Sequence, residues 1–203
     1  MESFRKITAT AAPMMRINID TDQIIPTLFL GGTDSKGYGK HLFHHHRFLA
    51  DGAPNPGFIL NQPPFDKAEV LLADRNFGCG SSRERAPWAL REYGFRAIVA
   101  PSFGGIFFNN CYRNGIVPVE LPVEQVKVLV SEVEASNGAG KVTVDLESQT
   151  VTSPSGQVFP FVAPPTLRHM LLEGMDEIAF TLSKKADLDA FRAKDRARRP
   201  WAY

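Results

Sequence analysis

This sequence predicts an α/β fold, and two observations carry the prediction. Three short, wholly apolar stretches recur through the middle of the chain: Val70–Ala73, Ala97–Ala100 and residues 116–119. Between them, residues 83–93 and 103–112 carry apolar residues at helical spacing. Ala86, Leu90 and Tyr93 mark the core side of the first helix; Phe103, Ile106, Phe107 and Asn110 mark that of the second. Gly94 and Gly115 act as helix stops. Strands alternating with helices in this way are joined by crossovers and run parallel.

The remaining elements follow in order. Residues 1–67 read as irregular, with loops at 31–37 and 54–57, so an irregular region is expected over about 26–67. Few apolar residues anchor 28–40, and that segment is expected to be mobile in the isolated chain. Val123–Ala135 reads as a helix ended by Asn137-Gly138. Residues 141–146, 150–153 and 157–161 read as short antiparallel strands, with a turn at Ser155-Gly156. Pro164-Pro165 opens a helical C-terminal extension over 164–203, with helices at 167–173, Glu177–Ser183 and 186–194. A length of 203 residues suits a single domain spanning 1–203.

Composition narrows the function. A formal net charge of +1 gives no electrostatic case for nucleic acid or for an acidic membrane surface. No apolar run approaches the length of a membrane span, and residues 1–6 lack the apolar core of a signal peptide. The expected location is the cytoplasm. The two cysteines, Cys79 and Cys111, make no disulfide framework and are too few for an iron–sulfur cluster. Both are expected as free thiols, Cys111 in the core.

The chemistry concentrates in Asn76-Phe77-Gly78-Cys79-Gly80-Ser81-Ser82-Arg83-Glu84, between a predicted strand and a predicted helix. Ser81 and Glu84 have the spacing of a capping box. A cap alone needs neither the two glycines nor the second hydroxyl. An arginine in a first helical turn opposes the helix dipole unless an anion compensates it. The loop therefore reads as a cradle for a carboxylate or another small oxyanion.

Three further stretches carry polar groups. In Asn18-Ile19-Asp20-Thr21-Asp22-Gln23, Asp20 or Asp22 caps a short helix, or a carboxylate orients a catalytic group. His41 and His45 have the i,i+4 spacing of a zinc pair, but nothing nearby completes a site, so an exposed polar helix face is the favoured reading and no metal ligand is assigned. Asn109, Asn110 and Arg113 either reach the cleft of Ser81 or hydrogen bond between loops.

Residues 18–26, 76–90 and 94–119 resemble the small subunits of isopropylmalate dehydratases, similar in turn to the swivelling C-terminal domain of aconitases. Gly174-Met175-Asp176-Glu177-Ile178, Thr181-Leu182 and the tail Arg198-Arg199-Pro200-Trp201 extend the resemblance over nearly the whole chain. It implies an α/β fold of the swivelling β/β/α type. It also implies half of a hydro-lyase of leucine biosynthesis, active with a large subunit that carries a 4Fe-4S cluster, while this chain binds no cofactor itself. By motif position Ser81 matches an alkoxide-type base, and Asp22 an aspartate that supports acid–base histidines of the other part. Arg83 matches an arginine that grips a substrate carboxylate. Ser82, Gly80, Thr21 and Lys36 complete the implied substrate contacts. Self-association of the isolated subunit stays open: the face that normally meets its partner can pair with itself when alone.

Departures from the family pattern bear on the substrate rather than the fold. Arg85 stands where the motif usually continues with histidine, Gly105 where an aspartate is usual, and Gly31 and Lys36 at loop positions that usually hold basic residues. Several readings stay open here. They are isopropylmalate isomerisation, the same chemistry on a methylmalate or a citrate-like acid, a non-catalytic regulatory subunit, and a generic anion-binding module.

Overall fold

The strand that organises the sheet is Lys6–Met14 (β1), which lies inside the stretch expected to be irregular. The computed structural model of the chain describes residues 1–31 and 36–203. Among these, the other strands are β2 (Val70–Ala73), β3 (Ala97–Ala100), β4 (Val117–Glu120), β5 (Lys141–Asp145), β6 (Thr150–Thr152) and β7 (Val158–Pro160). The α-helices are α1 (Thr21–Ile24), α2 (His44–Arg47), α3 (Arg85–Tyr93), α4 (Gly105–Arg113), α5 (Val123–Ala135), α6 (Pro165–Glu173), α7 (Glu177–Ser183) and α8 (Lys185–Arg198). The strands form one seven-stranded sheet in the order β4-β3-β2-β1-β5-β6-β7.

β1 belongs to two pairing systems. Ala11 to Met14 run parallel to β2, while Lys6 to Thr10 run antiparallel to β5. Pro13 lies beyond the end of the β5 ladder, on the stretch where β2 is the remaining neighbour, so its missing N–H is tolerated. Ala11 and Ala12 are fully buried, and such small side chains let α5 and the turns at Ile59–Asn61 and Phe65–Lys67 pack on the strand. A Thr-Ala stretch broken by proline has no strong period-2 signal, which is why patterning passes over it.

β1, β2, β3 and β4 run parallel, as the crossovers require. Every residue of β2 and β3 is fully buried, the expected state of a parallel strand covered on both faces. β5, β6 and β7 continue the sheet as an antiparallel meander.

Two helix starts differ from the sequence reading. α3 begins at Arg85, not at 83, and Glu84 precedes it without a side-chain cap. Ser81 is therefore outside the helix and caps nothing, and Arg83 is not in a first helical turn. α4 begins at Gly105, not at 103, which turns Ile106 outward; it is 58% exposed and not part of the core.

The expected mobility of 28–40 falls partly on residues 32–35, outside the described residues. At the described ends Leu28 is 79% exposed, whereas Tyr38 and Gly39 are buried and Phe29 stacks on His41 at 3.9 Å. The histidines do not form an exposed polar face. His41 and His44 both meet the Phe29 ring, and His46 stacks on Phe58. Burial is the main cause that lowers the pKa of all three. At the C-terminus no residue of α7 or α8 is buried, and Ile178, Leu182 and Phe191 are exposed. No helix of the described residues is long and apolar enough to cross a membrane.

Candidate functional site

The segments that follow β1, β2 and β3 meet at the carboxyl edge of the parallel strands, where open α/β sheets place their ligands. Backbone hydrogen bonds lace them together. Gly78 N–H donates to Ile19 O at 2.7 Å and Thr21 N–H to Cys79 O at 2.9 Å. Phe77 N–H donates to Ser102 O at 3.1 Å, and Gly104 N–H to Phe77 O at 2.9 Å. The 76–84 loop is thus pinned on one side by the segment carrying Asp20 to Asp22 and on the other by the start of α4.

Glycine is needed for this close approach. Gly78 has φ +71°, and a Cβ there would lie 2.2 Å from the Phe107 ring. A Cβ on Gly104 would lie 2.5 Å from Gly78 O. Gly80 has φ +89°, which turns the chain so that Ser81 and Ser82 follow at the surface.

The two acids of the 18–26 segment divide the roles that sequence left open. Asp20 caps α1, its Oδ1 accepting from Gln23 N–H at 2.7 Å. Asp22 caps nothing. Its Oδ1 accepts from Arg83 Nη1 at 2.5 Å, from Thr27 Oγ1 at 2.8 Å and from Thr27 N–H at 3.1 Å. Arg83 and then Thr27 hold the Asp22 carboxyl down at about 2. Arg83 also donates to Ile25 O at 3.2 Å and to Thr27 Oγ1 at 3.0 Å. Thr21 is buried, and its hydroxyl donates to Ser81 O at 2.9 Å, which fixes the backbone that carries the serine.

A cavity of about 120 Å³ lies between this loop and α4. Thr21, Gly80, Ser81, Ser82 and Arg83 line one side; Gly104, Gly105 and Ile106 line the other. The first N–H groups of α4 have no partner within the helix, and no side chain caps them. The cavity is therefore lined by two serines, an arginine and the amino end of a helix, a set that suits a small carboxylate. Sequence reading missed the amino end of α4, Gly105 and Ile106, since amide donors belong to no residue type. The only available signal was the Gly104-Gly105 pair opening an apolar helix.

A second cavity, of about 460 Å³, lies across Ser81, Ser82 and Arg83 and is lined further by Leu30, Glu84, Arg85 and Trp88. Lys36 is exposed and lines neither cavity. Asn109, Asn110 and Arg113 lie elsewhere. Asn109 Nδ2 donates to Gly105 O at 3.0 Å, Arg113 pairs with Glu177 at 2.6 Å, and neither they nor Asn110 line either cavity.

Cys79 and Cys111 are free thiols, and Cys111 is buried. Burial raises both pKa values, with Asp20 adding to the effect at Cys79, so neither is a ready thiolate ligand. Among the described residues no group of three or more His, Cys, Asp or Glu could hold a metal ion. The donor set does not fit an iron–sulfur cluster.

Comparison with known proteins identifies the family. The aconitase C-terminal domain family matches residues 1–124, and the LeuD_N family matches residues 127–162. The 3-isopropylmalate dehydratase small subunit of Neisseria meningitidis serogroup A is 49% identical, over 100% of this chain and 99% of that protein. The one from Ruegeria pomeroyi is 48% identical over 99% of this chain and 100% of that protein. A crystal structure of a 3-isopropylmalate dehydratase from Methanocaldococcus jannaschii shares the fold. It has a TM-score of 0.64 and 24% identity, and the match covers 91% of this chain and 98% of that one. With an aconitase-type swivelling fold and full-length relatives of this kind, the chain belongs to the family of 3-isopropylmalate dehydratase small subunits.

Proposed function

We propose that the cavity between the 76–84 loop and α4 is this chain's half of a dehydratase site that interconverts 2-isopropylmalate and 3-isopropylmalate in leucine biosynthesis. The chain is the small subunit of a two-subunit hydro-lyase and works with a large subunit. One observation carries the site assignment: Ser81, Arg83 and the amino end of α4 face one cavity of carboxylate size.

Each group has a task. A substrate carboxylate rests against Arg83 and the first N–H groups of α4. Ser81 Oγ takes the proton from the carbon beside that carboxylate. Serine is a very poor base in water, and the adjacent cation and oriented amides stabilise its oxyanion. Loss of the proton and of the hydroxyl gives an unsaturated dicarboxylate and water. Adding water back with the two positions exchanged gives the isomer. Asp22 orients Arg83, Thr21 holds the Ser81 backbone, and Ser82 and Gly80 complete the carboxylate contacts. A 4Fe-4S cluster held by the large subunit would supply the Lewis acid for the hydroxyl. The reaction is placed in the cytoplasm.

The test is anaerobic co-expression with the cluster-bearing subunit, followed by assay of a panel of substituted malates. Turnover of 2-isopropylmalate by the complex and not by either chain is the expected result. Turnover by this chain alone, or a complex that forms and acts on none of the acids, overturns the proposal.

A further inference from the structure

We infer that Glu92 is a positioning residue for substrate discrimination, acting from α3 as a clasp on residues 37–39, which pack against the Arg85 and Trp88 that line the larger cavity. The inference rests on the dehydratase reading above and extends it to a residue outside both cavities.

Glu92 receives the backbone of a distant segment on both carboxylate oxygens. Gly37 N–H donates to Oε1 at 3.1 Å, and Gly39 N–H donates to Oε2 at 2.8 Å. The fit is close enough to dictate sequence: a Cβ on Gly39 would lie 2.9 Å from both backbone and Cβ atoms of Glu92. Between the two glycines, Tyr38 is buried, with its ring 5.8 Å from Trp88 and its hydroxyl accepting from Arg85 Nε at 3.0 Å. Arg85, Trp88 and Glu92 are spaced i, i+3 and i+7 and form one face of α3. That face moors residues 37–39 along its length.

Earlier in the chain, Thr27 is moored to Arg83, just before α3. Thr27 Oγ1 accepts from Arg83 Nη2 at 3.0 Å. Leu30, three residues on, and Trp88 line the same 460 Å³ cavity, which shares Ser81, Ser82 and Arg83 with the carboxylate cavity. An acid held at Arg83 with its reacting carbon at Ser81 therefore has room for an apolar substituent between Leu30 and Trp88. The shape of that room depends on Arg85 and Trp88, and both meet Tyr38, which lies between the two glycines that Glu92 holds. Glu92 is itself exposed, so its removal opens no hole in the core.

The experiment uses the assembled complex with Glu92→Ala and Glu92→Gln, assayed on 2-isopropylmalate and on a methyl-substituted malate. Backbone amide exchange of Gly37 and Gly39 is measured alongside. Glu92→Ala is expected to raise KM for 2-isopropylmalate by about tenfold with little change in kcat. It is also expected to narrow the preference for isopropyl over methyl and to speed exchange at both amides. Glu92→Gln, with one acceptor oxygen left, falls between. Unchanged KM and preference in an active complex overturn the inference, as does a fall in kcat with KM unmoved. Failure of the dehydratase reading looks different: the wild-type complex itself turns over neither acid.

Discussion

Asp22 and Arg83 stand 61 residues apart in sequence and meet in an ion pair of 2.5 Å at the mouth of the site. The arginine side chain is 18% exposed, while the aspartate is 54% exposed. With Ile25 O and Thr27 Oγ1 as further acceptors, the guanidinium is held in one orientation before any substrate arrives. Fixing a cation in advance is how a site stabilises charge without reorganising during the reaction. Asp22→Asn keeps the shape and removes the charge. We expect kcat/KM of the complex to fall by about 10- to 100-fold, the size of one lost charge-assisted hydrogen bond. An unchanged kcat/KM argues against the orienting role.

The same pair has an acid limit. The folded Asp22 carboxyl titrates at about 2, below its ordinary 3.8, so the unfolded chain takes up that proton first as pH falls. The pair's stabilisation is complete above the ordinary value and is lost as pH falls from 3.8 towards about 2. Thermal melts across that window are expected to decline more steeply for the wild type than for Asp22→Asn. Parallel declines would remove the pair from the acid response.

Ser81→Ala addresses the base directly. Its kcat in the complex is expected to fall by about 10² to 10⁴, the usual contribution of a positioned proton-transfer group. KM should move little, because Arg83 and the start of α4 remain. Assembly with the large subunit, followed by size-exclusion chromatography, should match the wild type. Intact turnover in a fully assembled complex would end the assignment.

Two glycines at the site should behave in opposite ways. Gly78→Ala drives a methyl into the Phe107 ring at a positive φ and should cost about 1–3 kcal/mol in denaturant unfolding. A Cβ on Gly105 meets nothing within 4 Å, so Gly105→Ala should leave stability within about 0.5 kcal/mol of wild type. Equal losses would mean that close packing of the loop on α4 does not set its stability.

What sequence made legible follows from where hydropathy and residue type carry the signal. β2, β3 and their crossover helices are legible because wholly buried parallel strands must be continuous apolar runs. β1 is not, because its burial is borne by alanines and threonines. The site loop stands out through Gly78, Gly80 and two hydroxyls in one stretch. The Ser81-to-Glu84 spacing imitates a cap, and it misplaces the helix start by two residues relative to Arg85. The partner of Arg83 is illegible for a different reason: an ion pair formed across 61 residues leaves no local pattern. Lys36, assigned by motif position, is exposed and lines neither cavity of this chain.

The double pairing of β1 also sets an order of events during synthesis. Its parallel neighbour β2 is made soon after it, but its antiparallel neighbour comes much later; Thr8 and Thr143, whose hydroxyls share a hydrogen bond of 2.8 Å, lie 135 residues apart. Until β5 leaves the ribosome, the first strand presents an unpaired edge, the kind of edge that templates association between chains. The nascent chain thus holds the 76–84 loop and the segments of its parallel strands before it can close the sheet. Completion of the fold waits on the last third of the polypeptide.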